Sequence, residues 1–168
     1  MRKRINGYTL IELLVVVAIL GTVGFIVTQI FFTVLQSTAK TDLTREVKQN
    51  GDYALSVMEK IVRNAIGLDN LVNPCPFTNR NSLQITNPGN PSTTTTFSLS
   101  GNQIASTGGM LTNTKVRAND LFFTCTRTSG KPDLIMISFT LTQANVSATR
   151  PEEKASINFQ TTVSLRNY

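Results

Sequence analysis

The sequence predicts an α+β protein in which one long N-terminal helix packs against a small antiparallel β-sheet domain. Three observations predict it. Between Arg4 and Lys40 the chain carries one charged side chain, Glu12, within a run of apolar and small residues. From Leu43 to Ile66 apolar residues recur at helical steps of three and four. Beyond Ile66 the chain breaks into short alternating runs separated by Gly, Pro and Asn.

The first half of the helix is apolar from Leu10 to Leu35, interrupted by Thr22, Thr28, Gln29, Thr33 and two glycines. About 20 such residues suffice to cross a bilayer. No proline occurs from Met1 to Asn73, so nothing obliges the helix to break. Arg2, Lys3 and Arg4 precede the span, and the positive-inside rule keeps that flank in the cytoplasm. A cleaved secretory signal is the rival reading. Its apolar core would be about 7–15 residues long and followed by a small-residue cleavage site; this core is longer and has no such site after it. Glu12 is the anomaly. An ionised carboxylate at the centre of a span costs at least ~2.5–3.5 kcal/mol, so Glu12 needs a partner.

The second half of the helix is amphipathic. Leu43, Val47, Ala54, Met58, Ile61 and Ala65 make the stripe, with a seven-residue gap at Gly51, and Leu55, Val62 and Ile66 widen it. Asp42, Arg45, Glu46, Lys48, Asp52, Lys60 and Arg63 occupy the other face. Gly67 is the expected C-cap. The strands follow. Ser82–Thr86 is a short one, Thr96–Ser100 and Gln103–Ser106 flank a Gly101-Asn102 hairpin turn, and Asp120–Thr126 is another. Ile135 to Leu141 and Ile157 to Leu165 alternate cleanly. Residues 130–133 and 149–152 read as turns, and Asn87 to Thr96 as a polar loop.

The stretch Gly7-Tyr-Thr-Leu-Ile-Glu12-Leu-Leu-Val-Val-Val-Ala-Ile-Leu-Gly21 resembles the class III signal of type IV pilins and type II secretion pseudopilins. The resemblance implies a pilin-like fold, cleavage between Gly7 and Tyr8 by the prepilin peptidase, and N-methylation of Tyr8 by the same enzyme. Phe or Met is commoner than Tyr at that place. It also implies an assembly salt bridge from Glu12 to the Tyr8 amine of a neighbouring subunit. The expected organisation is a leader at 1–7, a membrane or filament-core helix at 8–39, an amphipathic helix at 40–67 and an extracytoplasmic β-rich domain at 68–168. The implied partners are the peptidase/methylase, other pilin or pseudopilin subunits, the bilayer before assembly, and an inner-membrane platform with its cytoplasmic ATPase. The implied location is the cytoplasmic membrane with the N-terminus inside, and an extracytoplasmic filament after assembly. Many major type IV pilins carry a proline where Gln29 stands, and the ending Thr162–Asn167 looks like minor pilin-like subunits. Both details favour a minor subunit. Pilus, competence pilus and secretion pseudopilus all stay open, as does a bitopic protein that keeps Met1 to Gly7 and binds a partner outside.

Composition bounds the rest. The net charge is +6, but removing Arg2, Lys3 and Arg4 leaves 13 Lys+Arg against 10 Asp+Glu, or +3. That is weak support for nucleic acid as a partner. Lys115, Arg117, Arg127 and Lys131 would form a basic patch only if strands aligned them. Cys75 and Cys125 permit one intrachain disulfide, with two buried thiols as the alternative. The chain has no histidine and no zinc-ligand spacing. No nucleophile–base pattern stands out, so neither a metal, a cofactor nor an enzyme is expected. Asp120 and Asp133 are the candidates for a calcium loop, weighed against solvated turn residues.

Overall fold

The computed structural model describes residues 8–68, 74–90, 92–144 and 155–166. The leader with Gly7, and the turn expected at 149–152, lie outside them. Among the described residues the architecture is α+β: helix α1 (Leu10–Asn64) and nine strands, all paired antiparallel. This is consistent with a pilin-like fold. Packing divides the chain into two compact units, Met1–Ala39 and Lys40–Tyr168.

In the first unit, α1 from Leu10 to Leu35 keeps its apolar side chains exposed. It is long and apolar enough to cross a membrane.

In the second unit the strands form two sheets where the sequence suggested one. The first has the order β1 (Gly67–Leu68), β3 (Leu83–Thr86), β4 (Thr94–Ser100), β5 (Gln103–Ser106), β6 (Gly109–Met110). The second has the order β2 (Phe77–Arg80), β7 (Val116–Thr126), β8 (Leu134–Gln143), β9 (Ser156–Ser164). Both sheets feed one core with the outer half of α1: Met58 and Val62 from the helix, Ile85 and Phe97 from the first sheet, Phe123 and Phe139 from the second. Each such side chain contributes about 1.5–3 kcal/mol when fully buried. The alternation in β8 puts Ile135, Ile137, Phe139 and Leu141 inward, as one covered face requires.

Local chemistry explains where elements begin and end. The helix stops at Asn64, before Gly67. Ala65 N–H still donates to Val62 at 3.2 Å, but Ile66 N–H donates to the Thr86 carbonyl at 3.1 Å. Strand β3 captures the chain there, and Gly67 opens β1 rather than capping the helix. The Gly101-Asn102 turn joins β4 to β5, with φ of 61° at Gly101, as a type II′ turn requires. Strand β7 is longer than its sequence suggested because a bulge at Asn119 resets its alternation. Val116 and Ala118 point inward before it, and Leu121, Phe123 and Cys125 after it. One extra residue keeps both apolar sets on the core side.

The gap in the helical stripe is filled by Gly51. It is buried, and a Cβ there would lie 2.0 Å from Cζ of Phe159. Phe159 stacks on Phe139, its cross-strand partner, with ring centroids 5.2 Å apart. The ring therefore rests on the helix backbone, which only glycine permits. About two turns beyond Gly51 along the helix, Glu59 accepts from the hydroxyl of Thr161.

Candidate processing and assembly site

The sequence-derived site lies at the start of α1. Gly7 is outside the described residues. Tyr8 is 84% exposed and precedes the helix, so it does not share a helical face with Glu12 in this structure. Thr9 caps the helix: its Oγ1 accepts from the Glu12 N–H at 3.3 Å, and its carbonyl from the Leu13 N–H at 3.2 Å. Glu12 thus occupies the third helical position, in the first turn. Carboxylates are favoured there because the unpaired N–H groups leave a partial positive charge. Thr9-Leu-Ile-Glu12 is a capping-box sequence, Ser/Thr-x-x-Glu, and that spacing would have singled out Thr9. The Glu12 side chain itself is exposed.

Further along the apolar part of the helix, hydroxyls are satisfied by the helix that carries them. Thr22 donates to Ile19, Thr28 to Gly24 and Thr33 to Gln29, at 2.8–2.9 Å. Back-bonding of this kind keeps a threonine tolerable in an apolar environment.

The remaining candidate groups lie in the second unit. Cys75 and Cys125 are joined by a disulfide, and both are buried. The linkage ties the segment before β2 to the end of β7, an inner strand of the second sheet. Asp133 approaches these sulfurs, but both thiols are consumed and Asp133 is engaged elsewhere. Arg127 donates to it through Nε at 2.8 Å and Nη2 at 2.6 Å. Those hydrogen bonds hold the Asp133 carboxyl below its ordinary range. Asp120 pairs with Thr140 across the ladder, whereas Asp133 lies beyond the other end of β8, roughly 20 Å away. The structure does not bring the two candidate calcium ligands together.

The four candidate cations are also divided. Lys115 and Arg117 flank the start of β7, and Arg127 and Lys131 follow its end, roughly 33 Å along the strand. Lys115 reaches Glu46 at 3.5 Å. With the Asn102 amide oxygen turned toward it, Arg117 donates to that oxygen at 2.9 and 3.1 Å. Glu46 also accepts from Asn113 at 3.0 Å, and Asn113 N–H donates to Asn50 at 3.0 Å. The Asn113 contact is the main cause holding the Glu46 carboxyl below its ordinary range. These hydrogen bonds and the Lys115–Glu46 ion pair staple the 111–115 loop to the helix.

Residues 2–28 match the family model described as the Prokaryotic N-terminal methylation motif. This is the type IV pilin and pseudopilin signal. No curated protein and no solved structure matches the chain. The matched segment covers the basic tip, Gly7, Tyr8, Thr9, Glu12 and most of the apolar run, and the β domain lies beyond it. The motif supports a pilin-type or pseudopilin-type role. It implies processing by a prepilin peptidase and assembly with other pilins. Together with the apolar helix, it points to a membrane-anchored pilin-type protein.

Proposed function

We propose that this chain is a structural subunit, of the minor kind, of a type IV pilus or type II secretion pseudopilus. It inserts with its basic end inside and is cut between Gly7 and Tyr8. The new Tyr8 amine is methylated. The subunit then leaves the bilayer as its apolar helix packs among neighbouring helices, with the two-sheet domain outward. The observation that carries this reading is the methylation motif over residues 2–28, with its charge-free run around Glu12.

Apolar surface moves from lipid to protein in that step, so hydrophobicity alone drives little. A carboxylate seeking a cation supplies the selectivity. In the uncut chain the N-terminal amine is seven residues away from Tyr8; cleavage delivers it next to the helix start, four positions before Glu12. Glu12→Ala tests this. Processing should persist, shown by an N-terminal peptide starting at Tyr8, while incorporation into filaments collapses. Normal incorporation of the Glu12→Ala chain would refute the assembly role.

A further inference from the structure

Five polar side chains interrupt the run from Leu10 to Leu35: Glu12, Thr22, Thr28, Gln29 and Thr33. The three threonines donate to their own helix. Gln29 differs. Its side chain is exposed and makes no hydrogen bond among the described residues, although its carbonyl accepts from Thr33 at 2.9 Å. An amide left unpaired in an apolar environment is costly. A threonine hydroxyl that has donated its proton still has lone pairs to offer, and Thr33 sits one turn beyond Gln29.

Tyr8 and Gln29 are 21 residues apart, and so are Glu12 and Thr33. Twenty-one residues make three heptads. Positions seven apart recur on one seam when helices cross in the left-handed sense common in membranes. Even a straight helix drifts only ~20° per heptad, which leaves Glu12 and Thr33 within one contact stripe, with Tyr8 just ahead of its N-terminal end. Parallel copies displaced by four residues, about 6 Å along the axis, set Tyr8 of one beside Glu12 of the next. The same displacement sets Gln29 beside Thr33.

We propose that the Gln29 amide donates to the Thr33 hydroxyl of a neighbouring copy, as a second polar contact in the register that joins Tyr8 to Glu12. The proposal rests on the assembly reading above. The occupant is a second copy because this helix carries both halves of the contact, donor and acceptor, at the spacing that the register requires. It follows that at least two copies adjoin wherever the subunit assembles, even if it is scarce.

The test is cross-linking in trans. Differently tagged full chains carrying Gln29→Cys or Thr33→Cys are expressed together and separately, oxidised in intact cells, and read as tagged heterodimers. The proposal expects links in the mixture that exceed those of either variant alone. Links of equal yield with Gln29→Cys alone would indicate unstaggered helices and overturn it. Gln29→Leu should lower filament incorporation about three- to thirtyfold, the range for an interhelical hydrogen bond; unchanged incorporation would also overturn it. The N-terminal peptide is read in parallel. Gln29→Cys and Thr33→Cys chains that are processed and assembled but form no mixed link remove the Gln29 contact and leave the Glu12 reading intact. Links between chains that keep Met1 remove the assembly reading and leave the contact.

Discussion

Replacing Gly51 by alanine puts a methyl group where the Phe159 ring lies. The new Cβ would be 2.0, 2.3 and 2.5 Å from three ring carbons. Carbon atoms settle at about 3.5–4.0 Å, so the ring or the helix must shift by roughly 1.5 Å. Neither has room. Phe159 is buried and stacked on Phe139, which is 1% exposed. On an open helix the same substitution would stabilise by about 1 kcal/mol through helix propensity. Against that, overpacking costs about 1–3 kcal/mol, and a displaced ring forfeits up to about 1.5 kcal/mol of aromatic pairing. The expected net loss is about 2 kcal/mol. Urea unfolding of the detergent-solubilised chain, followed by β-sheet signal, should show a midpoint lower by about 1 M at an unchanged slope. Phe159→Leu shortens the ring and should rescue Gly51→Ala in a double-mutant cycle, with a coupling above about 1 kcal/mol. A stabilised Gly51→Ala protein, with no coupling to Phe159, would refute the packing argument.

Other outcomes follow from the same structure. Cys75→Ala with Cys125→Ala opens a loop of 50 residues and should cost about 4 kcal/mol in the same urea assay on the chain-entropy account; an unchanged midpoint would show that the linkage adds no stability. The Asp133 carboxyl is depressed by Arg127, chiefly through hydrogen bonds, so its contribution is present above the ordinary value of 3.8 and is lost as pH falls through the folded value. The stability gap between wild type and Arg127→Gln should therefore close below about pH 3.8; a gap constant from neutral to strongly acid pH would contradict the pairing. Gly7→Leu should block cleavage, leaving an N-terminal peptide from Met1 in the membrane fraction; an unchanged processed end would contradict the assigned cleavage place. Because the basic groups are split between the two ends of β7 and partly satisfied, the purified chain should show no salt-sensitive DNA retention at low ionic strength; binding that falls steeply with salt would overturn this.

The helix and the longer strands were legible because their periodicity is local. Leu43, Val47 and Met58 announce a helical face, and Ile135 to Leu141 a strand, without knowledge of their partners. What the sequence hides depends on distant residues. Gly51 looked like a gap in the stripe, yet it is the place where a residue 108 positions later meets the backbone. The first part of β7 was hidden by the bulge at Asn119, which shifts the alternation by one residue. The strands β1 and β6 are two residues long, too short for any pattern to show. β2 carries φ of 50° at Asn79, a turn-like signature inside a strand. The capping role of Thr9 is local as well, carried by its spacing to Glu12. Whether strands would align the four basic residues into a patch depended on the fold, and their separation along β7 keeps them apart.

The most direct test of the central claim is quantitative mass spectrometry of sheared surface filaments beside the matching membrane fraction, reading both abundance and the N-terminal peptide. The account predicts a processed form beginning at methylated Tyr8, present as a trace in filaments or, for a secretion pseudopilus, confined to membranes. A dominant filament protein with that same end would make it a major subunit instead. An intact Met1 end in every fraction would contradict the account, because an uncut chain never presents the Tyr8 amine that Glu12 is proposed to meet.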